Sequence, residues 1–366
     1  MRKLNIAIIG LGNIGSFLFK YLNENRKILT EKNNCLPVVK YVSAKNKKKK
    51  RKISLGKSIW LDNYLEATKK KDVDLIIELI GGAEGPAKKL VFNALKNKKH
   101  VVTANKALIA KYGDDLSKIA EKNKVNLEFE ASVCGGVPII RSLKEGLIAN
   151  KITKIFGIFN GTSNYILSSM DKENKNFDAV LSNAKKLGYA ESNPIADLNG
   201  DDVASKLKIL TSLCFNSFIN NNIYVEGIKE IEKIDIDNAK NLGYKIKLLG
   251  FSEVLNKKIY QRVHPTLIKK ESYVASIDGV LNAVIIDGKP VGQSIIQGEG
   301  AGPSATTSAL VSDISSIMRG NIKFPFSVSN KERKKLKFEN INERFFSAYF
   351  RFEVLDKPGV LSSITN

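Results

Sequence analysis

Gly10-Leu11-Gly12-Asn13-Ile14-Gly15 follows the apolar run Leu4 to Ile9 and opens a stretch, Ser16 to Asn25, with helical spacing. Strand, glycine turn and helix in that order form the first unit of a parallel α/β sheet that holds a dinucleotide. Gly10 permits the tight turn, Gly12 lets the backbone approach a pyrophosphate, and Gly15 lets helix and strand pack closely. The helix start at Asn13 and Ile14 offers free N–H groups and the positive end of the helix dipole to the anion.

Reading outward, the same alternation continues. Strands are expected at Val38 to Ser43, Val73 to Leu79, Val101 to Ala104 and Val125 to Phe129, with helices from Ala83 to Leu95 and from the fourth strand to about Lys122. That order predicts a parallel sheet with crossover helices. The second strand ends in Val42-Ser43-Ala44-Lys45 with no acidic residue to take a ribose 2′-hydroxyl, so Lys45 points to NADP(H) in preference to NAD(H). Beyond Pro138 the pattern changes: a helix near Ile139 to Leu147, a strand near Ile152 to Phe159, helices through Phe218, and strands between Tyr244 and Ile286. This reads as a second, α+β domain over 138–297. A glycine-rich turn, Gly298 to Gly302, leads into a helix near Ala305 to Met318 that returns to the first domain (1–137, completed by about 298–320), and 321–344, with its charged stretch Lys331 to Arg344, reads as a linker.

Composition narrows the function. At 366 residues and 43% hydrophobic content the chain can bury a core in each of two or three domains. Apolar runs such as Val73 to Ile80 fall far short of the roughly 20 residues that cross a bilayer, and Met1-Arg2-Lys3-Leu4 runs straight into a strand, which predicts a cytoplasmic, membrane-free setting. Cys35, Cys134 and Cys214 are odd in number and widely spaced, which suggests neither disulfides nor zinc, and His100 and His264 lack ligand spacing. The formal charge of +22 is spread along the chain, dense only at Lys47 to Lys52, and no nucleic-acid motif accompanies it. The expected partner is a small molecule.

Several segments, in order along nearly the whole chain, resemble the homoserine dehydrogenase family: Glu78-Leu79-Ile80-Gly81-Gly82, VVTANKALIA from Val101, FEASVCGGVPII from Phe129, FNGTSNYIL from Phe159, LGYAESNPIADLNGDDVASKLKIL from Leu187 and GEGAGPSATTSAL from Gly298. The resemblance implies a Rossmann-type domain joined to a catalytic and dimerisation domain, a homodimer, and reversible reduction of L-aspartate 4-semialdehyde to L-homoserine in threonine, methionine and isoleucine biosynthesis.

Aldehyde reduction needs a hydride donor, a group that stabilises charge on the carbonyl oxygen, and a proton. Asp202 and Lys206 lie four positions apart on an expected helix and so share one face. Lys206 is read as the proton donor and acceptor, a role the resemblance supports. The resemblance also puts Glu191 and Asp202 on the substrate amino group, with Asp197 in the same acidic cluster, and makes Lys106, at the carboxyl edge of the sheet, the second active-site lysine, close to the cofactor along with Thr103. Thr162, in Asn160-Gly161-Thr162-Ser163-Asn164, is expected at the substrate or as a helix cap, and Gly188 and Gly302 near the nicotinamide. At the turn between domains the family binds a monovalent cation (Na or K). Carried over, Glu130, Val133, Gly135 and Val137 would supply mostly main-chain oxygens, while Cys134 stands where the family usually has a small residue.

From Phe345, FFSAYFRFEVLDKPGVLSSITN resembles the start of an ACT domain, a ligand-binding module that in this family can carry feedback control by threonine. A strand with alternating Tyr349, Arg351, Glu353 and Phe350, Phe352, Val354 is expected, and at 345–366 the module would be incomplete. The rival readings are a reductase of another semialdehyde and an NADP(H)-using sensor without catalysis. Neither accounts for the Glu191 to Lys206 segment.

Overall fold

A computed structural model describes residues 1–365. Six strands form the first sheet: β1 (Arg2–Ile9), β2 (Cys35–Ser43), β3 (Ile59–Trp60), β4 (Leu75–Glu78), β5 (His100–Thr103) and β6 (Leu127–Glu128). All pair in parallel in the order β3-β2-β1-β4-β5-β6. Ile6 to Ile9 and Leu75 to Ile77 are buried on both faces, as central parallel strands require. Register brings the carboxyl ends level, Ile9 opposite both Ser43 and Glu78, and Glu78 opposite Thr103. The strand order reverses direction between β1 and β4, and this crevice is where such sheets take ligands.

The crossover helices are α1 (Asn13–Glu24), α2 (Arg26–Asn33), α3 (Glu66–Lys69), α4 (Pro86–Lys96) and α5 (Lys106–Asn123). Lys106 opens α5 and does not end the strand before it. The Asn105 side chain caps α5, accepting the Leu108 N–H at 3.1 Å. The expected helix at 139–147 is a short α6 (Ile139–Arg141) continued by a π-helical turn. The Glu130 carboxylate caps it by accepting the N–H groups of Ile140 (2.9 Å) and Arg141 (2.6 Å).

The second half contains β7 (Lys151–Ile158), α7 (Gly161–Glu173), α8 (Phe177–Lys186), α9 (Ile195–Leu198), α10 (Asp201–Cys214), β8 (Tyr224–Val225), α11 (Lys233–Asn241), β9 (Tyr244–Leu255), β10 (Lys258–Lys269), β11 (Leu281–Lys289) and β12 (Gly292–Glu299). With β13 (Lys337–Phe338) they build a mixed sheet, β12-β11-β7-β9-β10-β13, with β8 beside β10. The α/β reading holds: a parallel Rossmann-type sheet and a second mixed sheet covered by helices. The helix α12 (Pro303–Met318) returns to the first sheet, where Leu310, Ile314 and Ile317 pack with Leu18, Leu22 and Ile8. A single apolar core runs from α4 and α5 through Phe129 into α10 and β9, so the two sheets share buried surface.

Two sequence expectations fail. The stretch 321–344 is not a free linker. Phe326 is fully buried against Phe129, Arg333 is buried among side chains of both halves, and β13 joins the second sheet. Charge in that stretch suggested solvent, but the guanidinium finds buried acceptors and aromatic faces, which make burial tolerable. The strand expected from Phe345 does not form either. No described strand pairs with it, and the segment is held by side chains, with Tyr349 and Arg351 each on Asp235 of α11 at 3.0 and 2.9 Å. Phe350, Phe352 and Val354 face solvent, and a short α13 (Val360–Thr365) follows.

The glycine turn itself gives a test. A Cβ on Gly15 would lie 2.0 Å from the Gly10 carbonyl oxygen, whereas one on Gly12 meets nothing within 4 Å. Gly15→Ala is expected to destabilise the fold by about 1 to 3 kcal/mol in urea titrations, as overpacking does. Gly12→Ala should leave the midpoint nearly unchanged and weaken dinucleotide binding.

Candidate active site

The helix α10 starts after Gly200, whose φ of +85° lets the chain turn sharply from α9, and its first turn carries Asp201 and Asp202 where the helix dipole favours acids. Asp202 and Lys206 occupy one face, as their spacing predicts, and pair at 2.7 Å. Lys106, from the first turn of α5 in the other half of the molecule, reaches the second oxygen of the same carboxylate at 2.8 Å. One buried carboxylate therefore bridges two ammonium groups carried by helices of the two halves. Asn160 completes the surround: its Oδ1 caps α7 through the Ser163 N–H (2.8 Å), and its Nδ2 donates to Asp202 (2.9 Å) and Asp197 (2.7 Å).

Lys206 also donates to the Phe159 carbonyl at 2.6 Å, so two of its three N–H groups have protein acceptors. Burial alone would raise the Asp202 pKa, but Lys206 and Lys106 outweigh it and hold the carboxyl below the usual range. Burial alone would lower the Lys206 pKa, but Asp202 outweighs it and raises it. Asp202 thus adds stability above its unfolded pKa and loses it as pH falls through the folded value. Lys206 adds stability below its unfolded pKa and loses it as pH rises through its folded value, so the pair stays charged across neutral pH. Asp197 is pushed up, first by burial and then by the charge of Asp202.

The carboxyl edge of the first sheet provides the neighbouring surface. Gly10 takes φ +113° and lies against the Leu79 carbonyl, and α1 has no side-chain cap, so its first-turn N–H groups at Asn13 and Ile14 stay open beyond Gly12. A pyrophosphate fits that opening. Lys45 is exposed at the end of β2, and most of the basic block is solvated. Arg51 is the exception: its Nε donates to the Leu11 carbonyl of the glycine turn at 2.9 Å and its guanidinium lies over Trp60. Thr103 takes a supporting position instead of one on the surface, fully buried and donating to Glu78 at 2.6 Å, because Glu78 needs that hydroxyl while its other oxygen accepts the N–H groups of Ile80 and Gly81.

At the turn between the halves, Cys134 (φ +55°) and Gly135 (φ +45°) are consecutive left-handed residues. The Glu130 carboxylate is spent on capping α6, and burial pushes its pKa up to about 7. Among the described residues nothing donates to the Val133 and Gly135 carbonyls, while the Val137 carbonyl accepts the Ile139 N–H at 2.7 Å. Neutral carbonyl oxygens of this kind suit a weakly charged hard cation. Cys134 is buried and burial raises its pKa to about 11, as expected of an inert thiol.

Other expected residues lie at the periphery. Glu191 is exposed, with no ion-pair partner among the described residues. Thr162 is not the cap of α7; it donates to the Tyr189 carbonyl at 2.7 Å and ties α7 to the turn that carries Gly188. Gly188 (φ +77°) and Gly302 (φ +104°), the residue before α12, have open space on their Cβ sides. Sequence reasoning missed the Phe159 carbonyl, which no side chain announces, and the bridging role of Asn160, although Asn before a helical run is a cap signal.

A dinucleotide-type sheet that delivers a lysine to a buried acid–lysine pair of a second domain defines an NAD(P)-dependent oxidoreductase. Family models described as "Homoserine dehydrogenase, NAD binding domain" and "Homoserine dehydrogenase" match residues 10–130 and 138–315. The chain belongs to the homoserine dehydrogenase family. It is 39% identical to the homoserine dehydrogenase of Neisseria gonorrhoeae, covering 100% of this chain and 85% of that one. The crystal structure of a homoserine dehydrogenase from Thiobacillus denitrificans superposes with a TM-score of 0.91 at 36% identity, over 100% of this chain and 86% of that one. A hyperthermophilic archaeal homoserine dehydrogenase in complex with NADPH matches with a TM-score of 0.74 at 26% identity, over 88% and 99%.

Replacing Asp202 by Asn would leave Lys206 buried without its counter-charge. The expected cost is about 3 to 5 kcal/mol of folding stability, read by denaturant titration at neutral pH. An unchanged midpoint would contradict the pairing.

Proposed function

We propose that the protein catalyses the reversible, NADP(H)-preferring reduction of L-aspartate 4-semialdehyde to L-homoserine in the cytoplasm, in threonine, methionine and isoleucine biosynthesis. The single observation that carries the chemistry is Asp202 holding Lys106 and Lys206 together at 2.8 and 2.7 Å. When bound, the dihydronicotinamide supplies the hydride. The third N–H of Lys206 donates to the aldehyde oxygen, stabilises charge developing there and passes the proton that completes the alcohol; in the oxidation direction the amine takes it back. Asp202 orients both lysines, and its Oδ1, which accepts from Lys106 alone, keeps a lone pair for the substrate ammonium beside Glu191, exposed on the adjoining loop, and Asp197. Lys106, 40% exposed, is free to meet substrate or cofactor oxygen.

The division of labour follows the two sheets: 1–137 with 298–320 for the nucleotide, 138–297 for the substrate and for pairing of two copies. Gly10, Gly12, Asn13, Ile14 and Gly15 would hold the pyrophosphate, with Gly188 and Gly302 at the nicotinamide end. Lys45 supports preference for a 2′-phosphate, and Arg51 adds a second cation beside the glycine turn. A sodium or potassium ion would be held by main-chain oxygens of Glu130, Val133, Gly135 and Val137. The likeness of 345–366 to an ACT-type module rests on its sequence alone, because the strand expected there does not form.

Lys206→Ala tests the assignment. NADPH binding, followed by fluorescence, should persist while turnover falls by roughly 10² to 10⁴, the usual worth of a positioned acid–base group. Turnover close to wild type would remove Lys206 from the proton transfer.

A further inference from the structure

The two helices that carry the reactive lysines share the apolar core and are joined by polar contacts at two places. One is the Lys106–Asp202 pair at their N-terminal ends. The other is Arg333, from the stretch that follows α12. Its Nη2 donates to Asp114 of α5 at 2.5 Å and to Ser212 of α10 at 2.8 Å, and its Nη2 and Nε both reach the Ser217 carbonyl, at 2.9 and 3.2 Å. Nη1 donates to Asn330 at 3.1 Å, and Asn330 in turn donates to Ser117 of α5 at 2.8 Å. The side chain is 0% exposed and lies between the rings of Phe218 and Phe326, 4.8 and 4.2 Å from their centroids.

Helix geometry makes this clamp a lever. Asp114 is two turns beyond Lys106, about 12 Å along α5, and Ser212 lies about 9 Å beyond Lys206 along α10. Fixing both helices at that distance fixes the angle at which their N-terminal ends meet. A planar guanidinium with five donors serves two helices and a carbonyl at once, which an ammonium does not match. We infer that Arg333 is a positioning residue for the reaction: it sets the angle between α5 and α10 and thereby the approach of Lys106 to Asp202 and Lys206. This rests on the proposed lysine chemistry, but Arg333 touches neither substrate nor cofactor.

The test compares Arg333→Met, Arg333→Lys and Asp114→Asn in the full chain, at a temperature where each is folded by circular dichroism. Wild-type turnover with aspartate 4-semialdehyde is the separate check on the proposed activity. Given that activity, kcat of Arg333→Met should drop about 10- to 100-fold, as small misplacements of reacting groups do. NADPH affinity should stay at the wild-type value, because the glycine turn lies within one sheet. Arg333→Lys should recover part of kcat, and Asp114→Asn, whose side chain is partly exposed and whose loss is milder, should fall in the same direction if Arg333→Met does not fold. Lower thermal stability with kcat unchanged in the folded variants would make Arg333 a purely structural residue and overturn the inference. So would a loss of turnover matched by an equal loss of NADPH affinity.

Discussion

A carboxylate held between two ammonium groups, one from each half of the molecule, is the constraint on which the rest of the structure depends. Removing Asp202 from water is tolerable only because Lys106, Lys206 and Asn160 between them occupy both of its oxygens. Taking Lys206 out of water is tolerable only because Asp202 and the Phe159 carbonyl receive its hydrogens. Lys206 keeps one N–H without a protein acceptor among the described residues, and that ammonium hydrogen can favour negative charge developing on a carbonyl oxygen. The halves must therefore stay in a fixed relation, and a shared apolar core through α4, α5, α10 and β9 provides it.

Around that constraint the two sheets have separate tasks. The first supplies a phosphate-sized opening beyond Gly12 and a level carboxyl edge, from which Lys106 emerges just after the Asn105 cap. The second supplies α10, launched by Gly200, and α7, launched by Asn160, so that two helix starts converge on the acidic pair Asp197 and Asp202. The return segment after α12, carrying Phe326 and Arg333, closes the seam between them.

Local patterns carried most of the fold and about half of the site. The glycine turn and the apolar runs are short-range features whose meaning is set by neighbours in sequence, and they announced the parallel sheet. The four-residue spacing of Asp202 and Lys206 announced one face of one helix. That Lys106 belongs to the same site followed only from family resemblance, and its sharing of the Asp202 carboxylate was announced by nothing in the sequence, since the contact joins residues far apart in the chain. Arg51, Asn160 and Arg333 were illegible for a related reason: each is a polar residue whose place is fixed by distant backbone carbonyls or side chains, and in sequence each looked like surface or cap. The alternation from Tyr349 to Val354 misled, because a period of two marks a strand only where another strand offers its edge.

The most direct measurement is the absorbance of NADPH, and separately of NADH, when the purified protein meets aspartate 4-semialdehyde in the presence of a sodium or potassium salt. Rapid oxidation of NADPH, with slower oxidation of NADH, is the predicted result. Oxidation of neither by a protein that binds NADPH would contradict the account, because a paired lysine site beside a filled nucleotide crevice would then serve some purpose other than reduction of this aldehyde.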